Sequence, residues 1–235
     1  MSILVAGIDA GFVHTGWALV KLYGPADRPG RPGQPAGRMD ELISVGVIRP
    51  KDDGLVPASF HPAPDYAVTL GDKVVYSDAG LCVRLVDNLC DVLWGARAAF
   101  IELPSGGSQG ARAGRCMGMS TAVVVTTMRL FGRVHDSTRA PVLFEGHEIY
   151  APDDVEKALG IHLTPGEAKA MKKGDKTKWK KERIREAVVR AFPAFDDWPP
   201  VKNDTQDAYD AVAAFLCARK RNLLYGELVR RIEER

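Results

Sequence analysis

The sequence predicts an α/β fold with a mixed sheet, three antiparallel strands followed by parallel ones, flanked by helices. Three observations lead there. Apolar, β-branched runs come early, at residues 3–8, 15–22 and 42–48, and Gly11 and Gly16 allow a hairpin between the first two. Leucines then recur at 81, 85, 89 and 93, with Val86 and Val92 beside them, which marks a helix packed on a sheet. From there strands and helices alternate, a pattern that suits crossover connections.

Taken in order, residues 3–8 read as a buried strand that stops at Asp9-Ala10-Gly11. TGWALVKL at 15–22 is the second strand and LISVGVI at 42–48 the third. Between them, residues 24–38 are rich in Pro, Gly and Arg and have no core pattern. Residues 50–79 show no clear period and are expected to be an irregular insertion. AAFIEL at 98–103 is a buried strand, residues 104–115 a flexible basic loop, and residues 117–131 a core helix. PVLFE at 141–145 is read as a further strand and residues 152–159 as a short helix with Pro152 in its first turn. Thr177 is expected to cap a helix running to Arg190, and Asp204 to cap the last one, DTQDAYDAVAAFLCARK.

The chain of 235 residues is read as a single domain, 1–235, with insertions near 24–38 and 50–79. It is 46% apolar and 26% charged, the balance of a globular protein. A net charge of +2 does not by itself announce a nucleic-acid binder. Its distribution says more. Lys169 to Arg190 is dense in Lys and Arg, offset only in part by Asp175, Glu182 and Glu186. Such a block suits phosphates, although a solvated helix face is the plainer reading. Cys82, Cys90, Cys116 and Cys217 form no CxxC pair and are expected to be reduced core residues. The first residues lack the basic start of a signal peptide, and no apolar run is long enough to span a bilayer, so a cytoplasmic location is expected.

Four carboxylates stand out. Asp9 ends the first strand, where an acid costs strand propensity; taken alone, it is also an ordinary turn aspartate. Glu102 interrupts a buried apolar strand, which is uncommon without a partner or a metal. Asp207 and Asp210 are three residues apart and share one face of a helix otherwise made of small and apolar residues. First-turn acids also serve the helix dipole, so that reading stays open for the pair. Four acids brought together need hard cations, and Mg²⁺ prefers such oxygen ligands. Two ions about 4 Å apart support phosphodiester hydrolysis.

These residues resemble a known family. GIDAGFVHTGWAL is similar to the opening of RuvC-type Holliday junction resolvases, and FIELP to their strand bearing a glutamate. YAPDDVEKALG, KKERIREAVVRAFP and DAYDAVAAFLCAR resemble later segments in the same order. The resemblance implies an RNase H-like fold, Mg²⁺ or Mn²⁺ dependence with two ions per site, a homodimer, and paired nicks in four-way DNA junctions. It implies Asp9, Glu102, Asp207 and Asp210 as metal ligands and catalytic residues, with Lys181 near the scissile phosphate and Lys178 as its neighbour. Lys176, Lys180, Arg112 and Arg115 complete the expected DNA contacts. The family often has Pro where Ala10 stands, and the loop after Glu102 offers Ser105, Gly106, Gly107, Ser108 and Gln109 but no aromatic wedge. With the long insertions, this points to a divergent, phage-encoded member acting in the bacterial or infected-host cytoplasm.

Other readings remain. A nuclease of this fold acting on flaps, other branched DNA or RNA–DNA hybrids differs little in sequence terms. A sugar-kinase or actin-like ATPase also opens with a G-I-D-x-G strand, but needs two such domains and a second phosphate turn. A non-catalytic DNA-binding protein would have no reason to keep all four acids.

Overall fold

The computed structural model describes residues 2–24, 40–49, 67–70, 73–104, 110–137, 144–193, 195 and 205–234. Strands β1 (Ser2–Asp9), β2 (Thr15–Tyr23) and β3 (Asp40–Ile48) pair antiparallel in sequence. β4 (Ala67–Leu70) and β5 (Lys73–Tyr76) form a separate two-stranded hairpin. Helix α1 (Asp78–Leu93) leads into β6 (Ala96–Glu102), which lies parallel to β1. Helix α2 (Ala111–Ser137) leads into β7 (Gly146–Tyr150), parallel to β6. Helices α3 (Pro152–Leu159), α4 (Pro165–Ala170), α5 (Lys173–Ala191), α6 (Thr205–Arg221) and α7 (Leu224–Glu233) follow. The main sheet runs β3-β2-β1-β6-β7. It is the mixed sheet that the sequence predicts, antiparallel on one side of β1 and parallel on the other.

Both faces of this sheet are covered, which is why β1 and β6 read as continuous apolar runs rather than alternating ones. Successive side chains still point to opposite faces. Val5 and Phe100 join one core with Phe215 of α6 and Val188 of α5. Ala6, Ile8, Ala99 and Ile101 join the other, with Leu85, Leu89 and Leu93 of α1 and Val124 and Met128 of α2. The four-residue leucine repeat is thus the buried stripe of α1, whose first turn is capped by the Ser77 hydroxyl accepting from the Gly80 amide at 3.1 Å.

Helix α6 is buried almost all round. Every residue from Ala211 to Ala218 is covered. Such a helix forms only as a central element, with partners on several sides. Two glycines of the sheet let it come close. A Cβ placed on Gly7 would overlap the Ala211 carbonyl oxygen, and one on Gly16 the Asp207 carbonyl oxygen. Asp40, 5% exposed, anchors the start of β3 to the end of α6 through Arg219 at 2.7 Å.

Four expectations need correction. Residues 50–79 are not irregular throughout, because 67–70 and 73–76 pair as a hairpin. The strand expected at 141–145 gives way to one at Gly146–Tyr150: residues 144 and 145 are not part of it, and 141–143 lie outside the described residues. Among the described residues β7 bonds only to β6, so it does not need the apolar alternation that points to a strand in the sequence, while Phe144 packs into the core before the strand begins. Helix α2 begins at Ala111, inside the expected loop: Gly110 takes the positive φ of 107°, and the good helix former alanine follows at once. Helix α5 begins at Lys173, with Thr177 inside it, because lysines sustain a helix and Asp175 suits its first turn. The expected cap Asp204 and the segment 24–38, apart from Gly24, lie outside the described residues. Among the described residues no helix is long and apolar enough to cross a membrane, and all four cysteines are free thiols.

Candidate active site

Asp9 and Glu102 are the last residues of two neighbouring parallel strands and are paired in register. The ladder continues one step further, where the Ala10 amide donates to the Glu102 carbonyl at 3.0 Å. The chain then turns through residues 11–14, and the Thr15 hydroxyl donates back to the Gly11 carbonyl. Across this end of the sheet lies the first part of α6. The small residues at its contact, Gly7 and Gly16, place Asp207 and Asp210 beside Asp9. One carboxylate oxygen from each of Asp9, Asp207 and Asp210 lies within 4.8 Å of the other two.

Burial raises every one of these acids, and repulsion from neighbouring acids adds to it at Asp9, Glu102 and Asp210. Asp9 is pushed well above its usual value, first by desolvation and then by Asp210, Glu102 and Asp207, against a smaller opposing effect of Lys181. Glu102 rises to about 8 through desolvation, with Asp210 and Glu156 adding to it. Asp210 rises to about 6, again by desolvation first, although Gln206 Nε2 donates to its Oδ1 at 2.7 Å. Asp207 is also raised by desolvation, against the pull of His14, Lys181 and Arg49. Glu102 Oε2 is buried without a hydrogen-bond partner. A buried orphan acceptor is costly, and so are clustered carboxylates. A divalent cation removes both costs. The donor set is all carboxylate oxygen, which suits a hard ion such as Mg²⁺ or Mn²⁺ rather than zinc. Asp9, Asp207 and Asp210 offer converging ligand atoms; Glu102, paired in register with Asp9 but outside that group, carries an unpartnered buried oxygen.

Lys181 sits on the exposed side of α5, close enough to lower the pKa of Asp9, Asp207 and Asp210. Two of the other basic residues singled out in the sequence are held in ion pairs. Lys180 is held by Glu156 at 2.6 Å, and Arg115 by Asp78 at 2.9 Å. Lys176 is half-buried and Lys178 exposed. Arg112 lies on α2, and its side chain is outside the described residues.

Four neighbours of the acids are not among the residues that the sequence singles out. Gln206 is legible in principle, because it stands four residues before Asp210 on one helix face. His14, whose Nδ1 is 3.6 Å from Asp207 Oδ2, carries only its place in the turn after β1. Arg49 reaches the site because β3 ends opposite the start of β2, Ile48 against Thr15. Glu156 approaches from α3, and no local pattern announces it.

A five-stranded mixed sheet in this order, helices on both faces and acids at the ends of its central strands make this an RNase H-like fold. Two solved structures share it. Thermus thermophilus RuvC in complex with a Holliday junction substrate superposes with a TM-score of 0.51 at 15% identity, over 96% of this chain and 96% of that one. A second Thermus thermophilus RuvC structure gives 0.51 at 16% identity, over 94% and 97%. No protein-family model and no curated protein matches the sequence.

Proposed function

We propose that the protein is a divalent-metal-dependent endonuclease that cuts branched DNA, with four-way junctions as its foremost substrate. The convergence of Asp9, Asp207 and Asp210 within 4.8 Å carries this reading. The likeness to a RuvC structure bound to a Holliday junction supports the choice of DNA. Asp9, Glu102, Asp207 and Asp210 would hold two Mg²⁺ or Mn²⁺ ions. When bound, such ions supply activation of a water and charge stabilisation at the leaving 3′-oxygen, giving a 5′-phosphate and a 3′-hydroxyl.

The chain's own residues do the rest. The carboxylates are held by two strand ends and one rigid helix, so their arrangement is set before substrate arrives. Gln206 fixes the orientation of Asp210. Lys181 places a positive charge beside the acids, where it attracts the phosphate to be cut. Exposed Lys178 extends that field along α5. Paired nicks require two such sites facing one junction, which is the reason to propose a homodimer. Flaps and other branched DNA are the second reading, favoured by the absence of an aromatic residue from Ser105 to Gln109.

The test offers purified protein a labelled four-way junction, a flap, a linear duplex and an RNA–DNA hybrid, each with Mg²⁺ or Mn²⁺. Symmetric nicks confined to the junction are expected. Cutting by Asp207→Asn at the wild-type rate would show that the acids have been assigned the wrong role.

A further inference from the structure

Helix α6 carries Asp207 and Asp210 near its start, and its other end meets the ends of α3 and α5 around a pocket of about 340 Å³. The residues lining that pocket come from the C-terminal turns of these helices. Its floor is apolar: Ala158 and Leu159 of α3, Ala187 and Ala191 of α5, and Leu216 of α6. Ala158, Leu159 and Ala191 are only partly buried and pack on the core around Phe215, so the pocket is an open edge of that core. Its rim is cationic. Arg190 and Lys220 are exposed and have no ion-pair partner among the described residues, while Arg219 is held by Asp40. Among the described residues no acidic side chain lines the pocket. Lys220 lies about 15 Å along α6 from Asp210, so the pocket is separate from the acid cluster.

Cations in a last turn serve the helix dipole, which accounts for Arg190, Arg219 and Lys220 one by one. It does not account for an uncovered apolar floor between them; apolar surface rimmed by polar groups marks an interaction site. The pocket also selects its occupant. The C-termini of α3, α5 and α6 carry partial negative charge, which opposes a bare anion seated on the floor. A phosphate backbone, moreover, brings nothing apolar to fill it. The fitting ligand offers an apolar group to the floor and negative charges to the long side chains at the rim. We propose that the pocket docks a short acidic segment of a partner protein, with one apolar side chain on the floor and flanking carboxylates paired with Arg190 and Lys220. Recognition of acidic motifs by clustered arginines is a recurrent mode. A single buried anchor supplies most of the affinity in such a contact, and the rim charges set its encounter rate and salt dependence. The docking is independent of the chemistry at the carboxylates and leaves their edge of the sheet open.

The probe is a fluorescein-labelled peptide, Ser-Asp-Asp-Phe-Asp-Asp-Ser, titrated with the full chain and followed by fluorescence polarisation. Binding that weakens with added salt is expected. Replacing the Phe of the peptide by Ala, or its Asp residues by Asn, should each weaken binding about tenfold or more. On the protein, Arg190→Glu with Lys220→Glu reverses the rim at exposed positions, and Ala187→Phe fills the floor. Variants with unchanged melting temperature and circular dichroism are expected to lose about tenfold in peptide affinity and to bind branched DNA as the wild type does. If Ala187→Phe does not fold, the charge reversal decides alone. Absence of binding overturns the proposal. So does an Ala-substituted peptide that binds as tightly as the Phe peptide, because charge alone would then be the attraction. Folded variants that hold the peptide like the wild type also overturn it. If the charge reversal weakens branched-DNA binding as much as peptide binding, the cations are phosphate contacts and the peptide assignment falls.

Discussion

Asp9 and Glu102 are direct cross-strand partners at the ends of two parallel strands, and both are buried enough that neither ionises at its usual pH. In parallel pairing, strand ends that point the same way bring their last side chains to one edge of the sheet. That edge is where open α/β sheets place their ligands. Helix α6 then adds Asp207 and Asp210 to the same edge. Without a cation the cluster is unfavourable, and its behaviour should follow from whatever relieves or worsens that repulsion.

Replacing Asp9 by Asn removes a buried charge from among three others. Without metal the variant is expected to melt above the wild type, while cleavage falls by roughly 10²–10³-fold, the usual loss when one charge-stabilising group is removed. Thermal melts with and without Mn²⁺, beside a nicking assay, check both. A lower melting point without metal would mean that Asp9 is a structural residue rather than a strained one.

Stability should also depend on pH. Glu102 at about 8 and Asp210 at about 6 are raised from ordinary values of 4.5 and 3.8. Between the ordinary values and the raised ones the folded chain binds more protons than the unfolded chain. The metal-free protein therefore loses stability as pH rises through that window. Each 1 kcal/mol lost lowers the melting point by about 2–4 °C in a chain of this length. Adding Mg²⁺ or Mn²⁺ should restore more at about pH 8 than at about pH 5.5, because bound metal competes with those protons. A melting point that rises with pH in the absence of metal would contradict burial and mutual repulsion as the source of the raised values.

Gly16 holds α6 against the sheet, and a methyl group there meets the Asp207 carbonyl. Gly16→Ala is expected to cost about 1–3 kcal/mol by overpacking. It should also lose cleavage beyond what the stability change explains, since it pushes Asp207 and Asp210 away from Asp9. Activity measured well below the melting point separates the two effects. Full activity would show that the helix has room to shift.

The lysines of α5 should divide. Lys178 is exposed, and Lys181 adds its charge beside the acids, so Lys178→Ala with Lys181→Ala should weaken DNA binding. The salt slope should shrink by about 0.9 for each phosphate that is no longer neutralised. Lys180 is held by Glu156, so Lys180→Ala should change the slope much less. Binding titrations from low to moderate salt decide this, and equal slopes for all the variants would remove the distinction.

Most strands are legible in the sequence because their signal is local. Residues 3–8, 15–22 and 42–48 carry enough β-branched residues to be read directly, and the leucine period of α1 needs only its own residues. β7 lies about five residues beyond its expected place, because an edge strand with His147 and Glu148 in it leaves little apolar trace. The start of α2 is hidden by its glycines, and the hairpin of β4 and β5 by the irregular sequence around it. Helices α4 and α7 go unread, although Thr164 and Glu167 form a capping box at the start of α4.

The sequence by itself determined the element types of β1, β2, β3, α1, β6, α5 and α6, the parallel return of β6 and the four acids placed where acids do not belong. It also pointed to the buried helix that carries two of them. Only the tertiary structure decided which charges meet. Residues as far apart as Asp9 and Asp210 come within reach of one another through strand register and the close approach of α6 over Gly7 and Gly16. His14, Arg49 and Glu156 join them from three other parts of the chain, and Lys180 is diverted to Glu156. Electrostatic neighbours are set by distance in space, and spacing along the chain records only those that lie on one helix face or one strand.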